Sequence, residues 1–235
     1  MVLARGYLIC ATPRSGSFLL CEALKNTGVA GRPAEFMRRT GVPDWSDERY
    51  QRYFKSLFTQ GITENGIFGM KVMWMHFEDL LSELQLLAGG GTWQEALERF
   101  LPDLRYIVIS RRDKVLQAIS LYKALHTQCW DITDRSTADQ PLHFNFGEIE
   151  ALRQEIELEE RCWQHYFALR NVQPFTVVYE EFVPAYEQTA LRILEYLNVP
   201  IPANLTFSER RLQKQADGVT TEWYELYHRA KQQQV

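Results

Sequence analysis

Four short apolar runs, separated by stretches of helical periodicity, constrain this chain more than any other feature. They are YLICA at 7–11, IFGMKVMW at 67–74, RYIVIS at 105–110 and FTVVY at 175–179. Each has strand length, is rich in β-branched and aromatic residues, and reads as buried on both faces. Helical patterns fall between and after them, at about 17–27, 46–59, 75–87, 92–101, 113–130, 147–171, 183–197 and 219–231. In the longest, Ile149, Leu152, Ile156, Trp163 and Tyr166/Phe167 keep near-helical spacing. Strands alternating with helices predict right-handed crossovers, hence an α/β fold with a mostly parallel central sheet flanked by helices. Ligands on such sheets bind beyond the carboxyl ends of the strands.

No internal repeat, low-complexity tract or linker interrupts the pattern, so one domain over residues 1–235 is expected. Gly89-Gly90-Gly91 reads as a joint between two helices, and the polar 131–141 segment as a loop or lid. A net charge of −4 and a pI near 5.8 speak against a nucleic-acid surface, without excluding a locally positive pocket for a small anion. Cys10, Cys21, Cys129 and Cys162 form no C-x-x-C pair and no metal-like spacing with histidine, so reduced thiols are expected. With no apolar leader and no membrane-length run, a cytoplasmic protein without a transmembrane segment is the expectation.

The first apolar run leads into ATPRSGSFLLCEAL at 11–24. A strand–loop–helix junction aims unpaired N–H groups and a positive dipole end at an anion. Gly16 lets the backbone approach it, and Ser15 and Ser17 add hydroxyl donors. A nucleoside-triphosphate loop would continue as GK[ST]; here Ser17 and Phe18 follow Gly16. The lysine and the magnesium-holding hydroxyl are both missing, and the 105–110 strand ends in Ser110-Arg111 without a Walker-B aspartate. Transfer of a group needing no metal, such as a sulfuryl group, fits better than ATP chemistry. A second constellation places Arg111 at a strand tip and Ser120 nine residues on in a helix, a fork and a hydroxyl able to grip one phosphate. Arg112 beside it reads as a solvated charge or a helper.

Together with VVYEEF at 177–182, these elements resemble the sulfotransferase superfamily. YLICATPRSGSFLLCEALKNTGVAGRPAEF, FGMKVMW, SRRDKVLQAISLYKALHTQCW and QKQADGVTTEWYELYHR resemble, in the same order, the bacterial trehalose 2-sulfotransferase family. The resemblance implies a P-loop-like sulfotransferase fold using 3′-phosphoadenylyl sulfate (PAPS) and releasing adenosine 3′,5′-bisphosphate (PAP). It implies that Arg14, Ser15, Gly16, Ser17, Phe18 and Leu19 bind the 5′-phosphosulfate, and that Arg111 and Ser120 bind the 3′-phosphate. Gln215 and Ala216, within 213–217, would contribute to the nucleotide pocket. A carbohydrate or glycolipid acceptor follows, and a homodimer is among the assemblies the resemblance admits. Two departures stand out: Phe18 occupies a position where the family often has a hydroxyl residue, and the segment from Glu35 to the second strand is shorter.

An acceptor hydroxyl must lose a proton as it attacks sulfur, so a base is needed. The resemblance assigns that role to Glu35 of GRPAEF; a pair with Arg32 or Arg38, or a helix-start role, is the alternative. His76 is the rival base. Lys71 lies inside an apolar strand, where an ammonium must meet an anion or a carboxylate, and it is a candidate to neutralise the sulfuryl group. Arg14 is the candidate for charge building on the leaving phosphate. Trp74 and Trp130 read as core packing more than as sugar platforms. Two readings of other classes stay open: a P-loop small-molecule kinase, and a silent module that binds PAP or PAPS without turnover.

Overall fold

A computed structural model describes residues 3, 5–36, 47–130, 142–208 and 218–233. The sheet has four strands, β1 (Arg5–Ala11), β2 (Ile67–Met73), β3 (Arg105–Ser110) and β4 (Phe175–Val178). Their order is β2-β1-β3-β4 and every pairing is parallel, with Ile9 opposite both Lys71 and Ile107. β1 is therefore central, and its tip lies between those of β2 and β3.

The helices are α1 (Ser17–Asn26), α2 (Asp47–Gly61), α3 (Phe77–Ala88), α4 (Trp93–Phe100) and α5 (Lys114–Thr127). They continue with α6 (Phe146–Leu169), α7 (Tyr179–Phe182), α8 (Tyr186–Tyr196) and α9 (Gly218–Gln232). Strand alternation divides the core. Tyr7, Ile9, Ala11, Ile107, Ile109 and Val177 pack with buried residues of α1 and α8. Leu8, Cys10, Phe68, Met70, Val72 and Tyr106 face α3, α4 and α6 on the other side. A third cluster joins α5, α6 and α9 through Ile119, Tyr122, Ile156, Trp223 and Tyr227. Gly69 of β2 is required by close approach: a Cβ there would stand 2.3 Å from the Tyr7 hydroxyl. That hydroxyl donates to the Ala30 carbonyl at 2.6 Å, tying the segment after α1 to β1.

Two strand ends differ from the sequence expectation. β2 stops at Met73 because Trp74–His76 turns as a short 3₁₀ helix, and β4 stops at Val178 because Tyr179 opens the one-turn α7. The triple-glycine joint has positive φ at all three residues, which ends α3 and lets α4 fold back upon it. Cys10 and Cys21 are buried and Cys129 and Cys162 half-buried, all four unbridged. The 131–141 segment and Arg38, Gln215 and Ala216 lie outside the described residues. Among the described residues no helix is long and apolar enough to cross a membrane.

Candidate active site at the strand tips

The loop between β1 and α1 turns through two left-handed residues, Arg14 at φ 59° and Gly16 at φ 92°. Gly16 is the N-cap of α1, and no side chain caps the helix or places an acid in its first turn. The first-turn N–H groups of α1 thus remain for an anion. A Cβ on Gly16 would sit 2.3 Å from Cδ2 of Tyr179, so the loop has closed against the first residue of α7. From behind, the buried Gln117 of α5 donates to the Thr12 hydroxyl at 2.9 Å and to the Pro13 carbonyl at 2.7 Å. Trp163 of α6 donates to the Ala11 carbonyl at 3.2 Å. The loop is braced by core side chains.

Ser15 is fully buried and its hydroxyl has no hydrogen-bond partner. Ser17 is also buried, and Leu19 packs into the α1 face of the core, so only its backbone can serve an anion. Arg14 donates through Nε to the Ser120 hydroxyl at 2.9 Å and through a terminal nitrogen to the Trp130 carbonyl. The structure thus joins Ser120 to Arg14, a link that residue spacing does not reveal. Arg111 at the β3 tip lies with its guanidinium 5.1 Å from the Tyr179 ring centre, and its buried Nε has no hydrogen-bond partner. Tyr179 therefore touches both halves of the candidate site. The next backbone is fixed by Glu180, whose carboxylate accepts from the N–H of Arg112 at 3.0 Å and of Asp113 at 3.3 Å. Burial would raise the Glu180 carboxyl, but these backbone donors and the Arg111 charge outweigh it and hold it below its ordinary value. Arg112 itself pairs with Glu181 in an exposed bridge, which contributes little to stability.

Lys71 is fully buried, and its ammonium lies 2.7 Å from a carboxylate oxygen of Glu35. The contact is an ion pair whose angle falls outside hydrogen-bond geometry. On another side, Phe18 places its ring centre 3.3 Å from the same ammonium. The carboxylate that an apolar strand demands for its lysine is therefore Glu35, while a pairing of that glutamate with Arg38 falls outside the described residues. Phe18, 44% exposed, covers the pair from solvent. His76 closes the 3₁₀ turn after β2 and is the N-cap residue of α3, with no side-chain capping bond. Trp74 packs edge-on against Trp163, with ring centres 5.0 Å apart, and Trp130 packs against the α5–α6–α9 cluster. A hollow of about 420 Å³ at the opposite end of the sheet, lined by Leu101, Tyr106, Tyr166 and Arg170 among others, contains none of the unpaired buried polar atoms.

A family model described as Stf0 sulphotransferase matches residues 6–230. The chain belongs to that family. It is 29% identical to trehalose 2-sulfotransferase of Mycolicibacterium smegmatis, with 95% of this chain and 94% of that protein covered. It is 24% identical to trehalose 2-sulfotransferase of Mycobacterium tuberculosis over the same shares of the two chains. Among solved structures, a sulfotransferase from Alicyclobacillus acidocaldarius aligns with a TM-score of 0.49 at 13% identity, covering 97% of this chain and 93% of that one. Membership of that family implies a sulfate donor. Sequence reasoning missed Tyr179, whose role appears only when α7 meets Gly16, and it missed Glu159. That acid stands at an i+3 position of the apolar stripe of α6 and is 7% exposed. An acidic residue inside a buried stripe was the signal.

Proposed function

We propose that this sulfotransferase takes its sulfuryl group from PAPS and passes it to a hydroxyl of a carbohydrate or glycolipid, releasing PAP. The observation that carries the reading is the set of unpaired donors at one end of the sheet. The Ser15 hydroxyl and the Arg111 Nε are buried without partners, beside a glycine-opened helix terminus without a side-chain cap. Buried donors left unpaired are costly, and an anionic ligand with several oxygens removes that cost. The donor supplies a sulfuryl group on a good leaving phosphate, so no metal is needed for the transfer.

In this reading Ser15, Gly16, Ser17, Phe18 and Leu19 hold the 5′-phosphosulfate, largely through backbone N–H groups. Arg111 and Ser120 hold the 3′-phosphate, and Gln215 and Ala216 flank the nucleotide. Arg14, already oriented by Ser120 and the Trp130 carbonyl, offers positive charge to the leaving phosphate. Glu35 takes the proton from the acceptor oxygen as that oxygen bonds to sulfur and the bond from sulfur to the phosphate oxygen breaks. Lys71 steadies the Glu35 carboxylate beforehand, and in this reading its charge also serves the sulfuryl oxygens. The names of the two curated relatives support a carbohydrate acceptor. Residues 1–235 act as one domain in the cytoplasm on this reading, and a homodimer is compatible with it.

The test is Glu35→Gln. PAP affinity should stay near that of the wild type, while turnover falls by about 10²–10⁴-fold, the usual share of general-base catalysis. A stability loss will accompany it, because Glu35 pairs with Lys71, so turnover is the deciding measurement. Retained turnover in Glu35→Gln with a collapse in His76→Ala moves the base to the histidine. Failure of the wild type to bind PAP removes the reading altogether and favours the kinase.

A further inference from the structure

Glu159 occupies a place that the chemistry above does not use. Helix α6 runs against the strand direction: Trp163 meets the Ala11 carbonyl at the end of β1, whereas Tyr166 and Phe167 meet Tyr106 near the start of β3. Glu159 is four residues before Trp163, on the same helix face, and therefore about 6 Å beyond the tip of β1. Helical side chains lean toward the amino terminus, which carries its carboxyl further past the strand ends. That is the end of the sheet at which open α/β folds bind their ligands, on the side where α6 packs against the Trp74–His76 turn.

The carboxyl is not there for stability. Its Oε2 is buried and has no hydrogen-bond partner, and Glu159 takes part in no ion pair among the described residues. The Lys114 ammonium of α5 goes to the neighbouring Glu160 instead, at 2.6 Å. A buried carboxyl without a donor weakens the folded state. Burial, with Glu155 one turn earlier, pushes its pKa up to about 7. Ser15, Lys71 and Arg111 are donors that suit an anion, but Glu159 is an acceptor and would repel one. It suits the other substrate.

We propose that Glu159 is the acceptor-recognising residue of this sulfotransferase, receiving hydrogen bonds from hydroxyl groups of a polyhydroxylated acceptor. The inference rests on the donor and acceptor classes of the proposed function. A carboxylate is an acceptor for hydroxyl hydrogens. Hydroxyls fit better than an ammonium, because Arg14, Lys71 and Arg111 already make this end of the sheet cationic.

The experiment uses the full chain with radiolabelled PAPS and compares trehalose and glucose with propanol, which has one hydroxyl and no neighbour for it. Glu159→Leu should raise KM for the sugars by about 10- to 100-fold, the range for hydrogen bonds to a charged group, and Glu159→Gln by less. Propanol turnover and PAP affinity should match the wild type in both variants. Neither variant should unfold, since each removes a buried unpaired charge. Unchanged sugar KM values in Glu159→Leu, or an equal loss with propanol, would refute the assignment while leaving the sulfotransferase reading intact. A wild type that sulfates propanol but neither sugar refutes the polyhydroxylated acceptor. A wild type that neither binds nor releases PAP refutes the donor reading, and the inference falls with it.

Discussion

Removing the charge of Lys71 tests whether the pair with Glu35 is held by mutual need. Both groups are shielded, with 0% and 14% of their side-chain surface exposed, and their charged atoms stand 2.7 Å apart. Lys71→Met preserves length and apolar packing in β2 but leaves the Glu35 carboxylate beneath Phe18 without a counter-charge. Breaking a buried pair in this way costs about 3–5 kcal/mol, and the partial exposure of Glu35 favours the lower end. Loss of the contact with the Phe18 ring adds about 0.5–2 kcal/mol. Together these give a loss of about 3.5–5 kcal/mol, which for a chain of 235 residues lowers Tm by about 7–20 °C. Glu35→Gln alone should cost less, because the amide oxygen still faces the ammonium. The double variant has no charge to shield and should return to within about 1 kcal/mol of the wild type, an outcome seen when whole buried pairs are replaced. Urea denaturation of all four proteins closes the cycle, with an expected coupling of about 3 kcal/mol or more. Additive losses would mean that the two residues are independent, and the account of why an apolar strand contains a lysine would be wrong.

Gly16→Ala places an alanine at φ 92° with its Cβ 2.3 Å from the Tyr179 ring, so it should lower Tm and abolish PAP binding by calorimetry. Strain at the left-handed position alone is worth about 1–2 kcal/mol. Arg111→Ala and Ser120→Ala should weaken PAP by about 1.5–3 kcal/mol, with far less effect on a nucleotide lacking the 3′-phosphate. Equal losses for both nucleotides would remove Arg111 from the 3′-phosphate. For Glu159 the folded carboxyl is raised from 4.5 to about 7, so the unfolded chain ionises first and stability is lost as pH rises between those values. Glu159→Gln should match the wild type near pH 4 and exceed it by up to about 2–3 kcal/mol near pH 8, measured by urea denaturation.

The strands and most helices were legible because parallel strands buried on both faces leave continuous apolar runs, and amphipathic helices leave a periodic stripe. Strand ends were less so: Trp74 and Tyr179 are as apolar as the residues before them, and only the backbone turn separates them. The loop at 14–19 and Arg111 stood out as residue types in the right order, and the structure gathers them at the carboxyl end of the sheet. Lys71 announced the need for a carboxylate, yet nothing in the spacing named Glu35, thirty-six positions away, as its partner. Phe18 looked like a lost hydroxyl; its ring instead lies over that ammonium. Glu159 was legible as an acid inside an apolar stripe, but the stripe alone did not say that its carboxyl would be left without a partner.

The contact between Gly16 and Tyr179 links two parts of the gene that lie far apart. The ring that excludes any side chain at 16 also forms the platform beneath Arg111, so neither position can drift alone. A lineage that acquires a side chain at 16 must first shrink the residue at 179, and in doing so gives up the surface on which the arginine rests. Substitutions at these two sites should therefore arise in a fixed order or not at all. Combinatorial libraries varying 16, 111 and 179 together should yield binders only as matched sets, with a single aromatic-to-small change at 179 rescuing alanine at 16 for folding but not for nucleotide capture.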